Sequence, residues 1–239
     1  MKRIEALINL LFPQVRCVGC DEPRMLDPGS ALCSQCETRI DALRVSNNTC
    51  ARCLSPQKAG EACGFCANGG MDSLERAYAP FVYRDTVQKL VVRLKFGPCE
   101  TAALPLARAM AETISGVQAD AMVPVPLHRF GIRERGFNQS LHLCCLVASH
   151  RDIPVLEALR KVRRTKRQSS LHQKHREANV RAAFAACAPV NGLHILLVDD
   201  VRTSGATARA CARALKQAGA ASVCLLTAAV ARHKAEYER

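Results

Sequence analysis

From residue 71 onward the apolar positions alternate between two rhythms. A period of two, or an unbroken apolar run, predicts strands over 76–83, 121–125, 194–199 and 222–230. Helical spacing predicts helices over 86–95, 102–114, 138–148 and 206–218. Strands alternating with helices imply a mostly parallel sheet covered by helices on both faces, an α/β domain. The charged end, 232–239, reads as frayed helix or tail. Residues 14–70 lack this pattern. Their large apolar side chains are few, so the segment has little core to bury and needs another source of folding energy.

Ahead of it, Ile4, Leu7, Ile8 and Leu11 repeat at helical spacing up to Pro13, predicting a short amphipathic helix. Glu5 and Asn9 interrupt its apolar face and no small-residue cleavage site follows, unlike an export signal. No run in the chain reaches the roughly 18 apolar residues of a membrane span. We therefore expect a cytoplasmic chain with reduced thiols and no membrane insertion.

The cysteines supply what residues 14–70 lack. Eight of 14 fall there as four Cys-x-x-Cys pairs: Cys17/Cys20, Cys33/Cys36, Cys50/Cys53 and Cys63/Cys66. A two-residue spacer lets a tight turn bring both sulfurs to one tetrahedral ion, and two such knuckles close a structural site. Eight ligands make two Zn2+ sites. Pairing the knuckles in sequence gives two successive ribbons, and a cross-braced pairing satisfies the spacing equally. A disulfide framework fits a reducing compartment poorly, and a thioredoxin-like redox motif uses one pair in a βαβ setting. The other six, Cys99, Cys144, Cys145, Cys187, Cys211 and Cys224, lie among Ala, Val and Leu and read as small core residues. The composition change at Gly69-Gly70 divides the chain into a helix-plus-zinc-ribbon module, 1–70, and an α/β domain, 71–239.

The most informative stretch is Ile195-Leu-Leu-Val-Asp-Asp-Val-Arg-Thr-Ser-Gly-Ala-Thr207. Ligands of open α/β sheets bind where strands end at their carboxyl edge. Here a buried strand leads into Asp199 and Asp200, then a loop of Thr203, Ser204, Gly205, Ala206 and Thr207, then a helix. Backbone N–H groups, hydroxyls and the positive helix end form a phosphate cradle. Acids repel a bare phosphate, but carboxylates at sugar distance accept hydrogen bonds from vicinal hydroxyls and hold Mg2+ through water. The combination points to a ribose 5-phosphate. The chain contains neither a Gly-Lys P-loop nor a Gly-x-Gly-x-x-Gly fingerprint.

Charge adds a second theme. The formal net charge is +13, and residues 126–181 carry 13 Lys/Arg against 4 Asp/Glu. Residues 158–181 alone carry 9 against 1, whereas 1–70 carry 8 against 7. Such a patch would contact nucleic-acid phosphates without reading sequence, in a salt-dependent way. With 3 Tyr, 7 Phe and no Trp, a base-stacking platform is a minor mode at most.

The 195–207 segment resembles the phosphoribosyl pyrophosphate motif of type I phosphoribosyltransferases. Val123-Pro-Val-Pro126, Arg133-Glu-Arg-Gly-Phe-Asn-Gln139, Arg164-Thr-Lys-Arg-Gln168 followed by Leu171, Arg176, Asn179 and Phe184, Lys95-Phe96 and the cysteine knuckles narrow the likeness to the ComF/GntX family of competence-associated proteins. Ser204 stands where the family usually has a second Thr, and keeps the hydroxyl; His175 stands where it often has a basic or polar residue. The resemblance implies a phosphoribosyltransferase-like parallel sheet with flanking helices, behind a small Cys-rich zinc-ribbon domain. It implies that Asp199 and Asp200 hold the ribose hydroxyls and that residues 203–207 hold the 5-phosphate of phosphoribosyl pyrophosphate, with Mg2+. Lys95 and Arg135 would lie near the pyrophosphate. Arg163, Arg164, Lys166, Arg167, Gln168 and Arg176 would belong to a loop closing over the ligand. Phe137 and Asn138 would start the next helix.

The same resemblance implies sequence-independent single-stranded DNA binding during DNA uptake in natural transformation, with competence proteins as further partners. Two other readings stay open: a phosphoribosyltransferase acting on an unidentified base, and a zinc-stabilised interaction protein with a relic site.

Overall fold

A computed structural model describes residues 16–23, 26, 30–58, 60–96, 100–162 and 183–231. The helix expected near the N-terminus, Cys99, the basic stretch from Arg163 to Arg176 and the tail 232–239 lie outside these residues. The first elements are α1 (Ser34–Asp41), α2 (Gly64–Ala67), β1 (Ala77–Tyr78), β2 (Phe81–Val82), α3 (Asp85–Phe96) and α4 (Ala103–Thr113). There follow β3 (Ala121–Pro124), α5 (Arg129–Arg135), α6 (Gln139–His150), β4 (Leu159–Lys161), β5 (Phe184–Ala186), β6 (His194–Arg202), α7 (Ala206–Gln217) and β7 (Ser222–Val230).

The main sheet runs β1-β7-β6-β3, with β2 also on β7, and every pairing is parallel. β4 and β5 form a separate antiparallel pair. The expected alternation of strand and helix is therefore present, with local differences. The strand expected over 76–83 is two short strands, because Pro80 has no N–H to give the ladder. The strand expected to end at Asp199 continues through both acids, with Asp199 opposite Thr227 and Arg202 opposite Val230. Helix α5 and the β4–β5 pair, seven and three residues long, are too short to impose a hydrophobic period.

Two cores flank the sheet. On one side α3, α4 and α6 bury Leu90, Leu94, Leu106, Met110, Leu143 and Val147 against Leu196 and Val198. On the other, α7 and the β4–β5 pair pack Cys211, Leu215 and Phe184 against Ile195 and Leu197. Each such leucine, removed fully from water, contributes about 2 kcal/mol.

The cysteine segment is one small unit used twice. Cys17-Val-Gly-Cys20 is followed by Asp21 at φ 68°, and Cys50-Ala-Arg-Cys53 by Leu54 at φ 62°. The N–H of each donates to the first cysteine's carbonyl at 2.8 Å. Antiparallel bridges Arg16–Pro23 and Thr49–Pro56 close the two knuckles alike. The two units dock on opposite cores: Cys17, Leu32, Cys36 and Ile40 join the α3–α4–α6 side, and Cys53, Met71 and Leu74 the α7 side. An arginine of the α/β part fastens each, Arg93 donating to the Val18 carbonyl (2.8 Å) and Arg202 to that of Cys53 (2.6 Å). Of the remaining cysteines, Cys144 and Cys211 are buried, but Cys145 and Cys187 are exposed, which corrects their reading as core residues. Cys145 sits on the solvent side of α6, and an Ala/Leu neighbourhood in sequence does not decide which side of a helix a residue occupies.

Candidate functional site

The knuckles pair in sequence. Cys17, Cys20, Cys33 and Cys36 form one group and Cys50, Cys53, Cys63 and Cys66 the other, with all sulfurs of a group within 4.8 Å of one another. Four sulfurs at about 2.3 Å around a tetrahedral ion stand about 3.8 Å apart. The Sγ–Sγ separations of 4.0 Å (Cys20–Cys33), 3.8 Å (Cys50–Cys66) and 3.4 Å (Cys53–Cys63) fit that shell. The local backbone prepares thiolates. Burial raises the Cys17 thiol, but N–H groups of Cys33, Cys20 and Gly19 aimed at it prevail and bring its pKa to about 6. Cys50 falls to about 7 for the same reason, with Arg52 and Cys53 as donors. Both groups fit zinc, and zinc would supply the cross-link that a nearly coreless segment needs to fold.

At the carboxyl edge of the main sheet, β6 carries the two acids on opposite faces, as successive strand residues must be. Asp199 shares the side of Ile195 and Leu197; Asp200 shares that of Leu196 and Val198. Their partners differ. Asp199 Oδ1 accepts from the Ser140 hydroxyl at 2.9 Å and from the Asp200 N–H at 2.9 Å. Ser140 reaches it because Asn138 caps α6, its side chain accepting from the Ser140 N–H and donating to the Val125 carbonyl. Asp200 is buried, and its Oδ2 lies 2.8 Å from Lys95 Nζ at the end of α3. Burial, with the Asp200 carboxylate beside it, raises the Asp199 carboxyl to about 7, against the pull of the Asp200 N–H, Ser140 and Lys95.

Beyond the acids, Thr203, Ser204, Gly205, Ala206 and Thr207 line a hollow of about 50 Å³ together with Asp199, Arg202 and Thr227. Gly205 adopts φ 71° as the residue capping α7, a left-handed conformation that glycine accepts without strain. It brings no side-chain cap, so the opening turn of α7 faces the hollow with only the Ser204 hydroxyl, 3.5 Å from the Ala206 N–H, beside it. An edge of this kind can take an anionic group at the helix end while the carboxylates accept from hydroxyls.

Arg135, at the end of α5, donates to Gln139 Oε1 at 3.1 Å and lies 5.2 Å from the centre of the Phe96 ring. Its Nε is buried with no hydrogen-bond partner among the described residues. Lys95, Phe96, Glu100, Thr101, Glu134, Arg135, Gly136 and Phe137 line a larger cavity of about 760 Å³, which Lys95 links to Asp200. The structure thus brings Lys95 and both acids together and sets Arg135 beside them. Arg163, Arg164, Lys166, Arg167, Gln168 and Arg176 lie outside the described residues.

Sequence reading missed Ser140 and Lys161. Lys161 stands at the end of β4, its Nζ 5.5 Å from the Phe184 ring centre. Burial lowers its pKa, while the charges of Cys211 and Asp199 oppose the fall. A lone lysine before a basic run carries no signal of its own, and Ser140 could have been suspected only from its place two residues after the capping Asn138.

A parallel α/β sheet with paired acids and a glycine-turned hydroxyl loop at its carboxyl edge, preceded by two four-cysteine units on opposite cores, defines the class: a double-zinc-ribbon α/β protein. The family described as double zinc ribbon domain matches residues 7–67. The chain is 33% identical over 201 residues to the DNA utilization protein YhgH of Salmonella typhimurium, covering 80% of this chain and 87% of that one. It is 27% identical over 220 residues to competence protein F of Haemophilus influenzae, covering 87% and 93%. The chain belongs to the ComF/GntX family. Among solved structures, glutamine phosphoribosylpyrophosphate amidotransferase from Bacillus subtilis aligns with a TM-score of 0.41 at 23% identity, over 58% of this chain and 30% of that one. Among the described residues, no helix is long and apolar enough to cross a membrane.

Proposed function

We propose that this chain is a cytoplasmic competence protein acting in DNA uptake, which binds phosphoribosyl pyrophosphate with Mg2+ at the carboxyl edge of β6 and single-stranded DNA through its basic region. In this reading residues 1–70 are the zinc-held scaffold and 71–239 carry the ligand site. The observation that carries it is the pair Asp199 and Asp200 beside the 203–207 hollow, an acid pair for ribose hydroxyls next to an anion cradle. The buried, unpartnered Nε of Arg135 supports an anionic ligand at the same edge. Mg2+, bound with the ligand, would neutralise pyrophosphate charge. The names of the relatives, a DNA utilization protein and a competence protein, support the nucleic-acid role. So does the 9-to-1 excess of basic over acidic residues in 158–181, which includes Arg163, Arg164, Lys166, Arg167 and Arg176.

Titration calorimetry with phosphoribosyl pyrophosphate and Mg2+ tests the ligand. Binding that disappears in Asp199→Asn with Asp200→Asn supports the reading, and a silent titration of the intact protein refutes it. For DNA, neutralising Arg163, Arg164, Lys166 and Arg167 together should weaken single-stranded DNA binding and flatten its salt dependence; unchanged affinity refutes that half.

A second reading, transfer of ribose 5-phosphate to a base, is favoured by the 760 Å³ cavity beside Lys95, which leaves room for an acceptor. In it Lys95, Arg135 and Lys161 would stabilise the departing pyrophosphate electrostatically, and no side chain need act as nucleophile. Release of pyrophosphate on adding a base decides between the two.

A further inference from the structure

The second zinc ribbon and the 203–207 loop meet directly. Two arginines flank the loop, and each anchors to a ribbon carbonyl. On the strand side, Arg202 is buried, its Nη2 donates to the Cys53 carbonyl at 2.6 Å, and its guanidinium lies 5.0 Å from the Phe65 ring centre. On the helix side, Arg209 Nη1 donates to the Ser204 carbonyl at 2.8 Å and to the Gly70 carbonyl at 3.3 Å, tying the loop to the ribbon's end. Between them the ribbon touches the turn itself: a Cβ on Gly205 would stand 3.7 Å from Phe65 Cζ and 3.8 Å from the Gly70 carbonyl. One turn further along α7, Arg213 Nη2 pairs with Asp72 at 2.6 Å.

These anchors hold position only if the ribbon is formed. Cys53 is one of the four zinc-site cysteines, Phe65 sits between two others, and the Gly70 N–H donates to the Phe65 carbonyl at 2.8 Å. No side chain fits at Gly70, where a Cβ would run into the Phe65 ring and carbonyl. We propose that the second zinc ribbon is a clamp on the anion loop, with Phe65, Arg202 and Arg209 as positioning residues that transmit zinc-dependent order to residues 203–207. The proposal rests on reading that loop as the phosphate cradle. A loop that binds an anion through backbone N–H groups must have those groups fixed in advance, because ordering them on binding subtracts from affinity. The clamp gives the zinc of Cys50, Cys53, Cys63 and Cys66 a role in ligand affinity beyond folding.

The test compares the zinc-loaded full chain with Phe65→Ala and Arg209→Met, after confirming two zinc ions per chain in each. Two quantities are read: the calorimetric affinity for phosphoribosyl pyrophosphate with Mg2+, and the methyl order of Thr203 and Thr207 by NMR relaxation without ligand. The methyls of Thr86 and Met110, both buried and outside the 203–207 hollow, serve as internal controls. The clamp predicts about tenfold weaker binding and lower order at Thr203 and Thr207, with the controls unchanged. Unchanged order at those two methyls in zinc-loaded variants overturns it. So does unchanged affinity where the unaltered protein binds. Should the unaltered protein not bind the ligand while loop order still falls, the clamp stands and the ligand reading fails. If Phe65→Ala sheds zinc, Arg209→Met, which alters no ribbon residue, decides.

Discussion

Replacing Asp199 by asparagine keeps the shape of the side chain and removes a charge that the fold holds at a disadvantage. Its Oδ1 can still accept from Ser140 and from the Asp200 N–H, so the local hydrogen bonds survive. The carboxyl titrates at about 7 in the folded protein rather than at its ordinary 3.8, burial being the main cause and the Asp200 charge the second. Between those two values the folded state holds a proton that the unfolded state lacks. Stability therefore falls as pH rises through that window, and the full penalty is present above pH 7. At 1.36 kcal/mol for each tenfold change in proton affinity, the penalty is at most about 4 kcal/mol, and 2–4 kcal/mol is the working range.

Asp199→Asn should accordingly be more stable than the parent by about 2–4 kcal/mol at pH 8, with the difference shrinking to nothing near pH 4. Urea unfolding of the zinc-loaded protein at pH 8, 6.5 and 5, extrapolated to lower pH, reads this directly. A variant equal to or weaker than the parent at pH 8, or a difference that does not change with pH, refutes the reasoning. Under the proposed function the same variant should lose affinity for phosphoribosyl pyrophosphate with Mg2+, a trade of binding for stability.

Under the proposed function the ligand with its Mg2+ would favour ionised Asp199, so binding between pH 6 and 7 should release protons; calorimetry in buffers of different ionisation enthalpy should show it, and no buffer dependence counts against the assignment. Lys95→Met leaves the buried Asp200 carboxylate without its 2.8 Å partner and should destabilise the protein by about 2 kcal/mol or more, read by chemical denaturation. Cys20→Ser and Cys63→Ser should each cut the zinc content from two ions to one by native mass spectrometry, since the sites share no ligand. Chelation of both should unfold the ribbon segment with loss of its amide protection.

What could be read from the sequence was local. A Cys-x-x-Cys knuckle is built within four residues, and its geometry needs only a tight turn, so all eight zinc ligands could be named from spacing. Spacing could not choose the pairing, because both arrangements satisfy one ion equally; the three-dimensional grouping is sequential. The acid pair and the 203–207 loop were legible for the same reason, being contiguous on one strand and one turn. Elements with a long hydrophobic period, such as α3, α7 and β7, were found. The break at Pro80 and the three-residue strands β4 and β5 were not, because pairing partners rather than periodicity define them.

The sequence by itself determined the chemistry available: eight thiols in metal-binding turns, two adjacent carboxylates, a hydroxyl loop before a helix and a strongly basic region. Only the tertiary structure decided what those groups face. Ser140 reaches Asp199 across 59 positions of chain, and Arg202 reaches Cys53 across 149. Asp199 and Asp200 are neighbours in sequence and alternate along β6, yet one is hydrogen-bonded to Ser140 and the other paired with Lys95, residues of two different helices. Burial and charge then set their different partners and the raised affinity of Asp199 for its proton. The physical reason is range. Backbone geometry and metal spacing act over a few residues, whereas burial and electrostatics depend on which distant segments the folded sheet brings within a few ångströms.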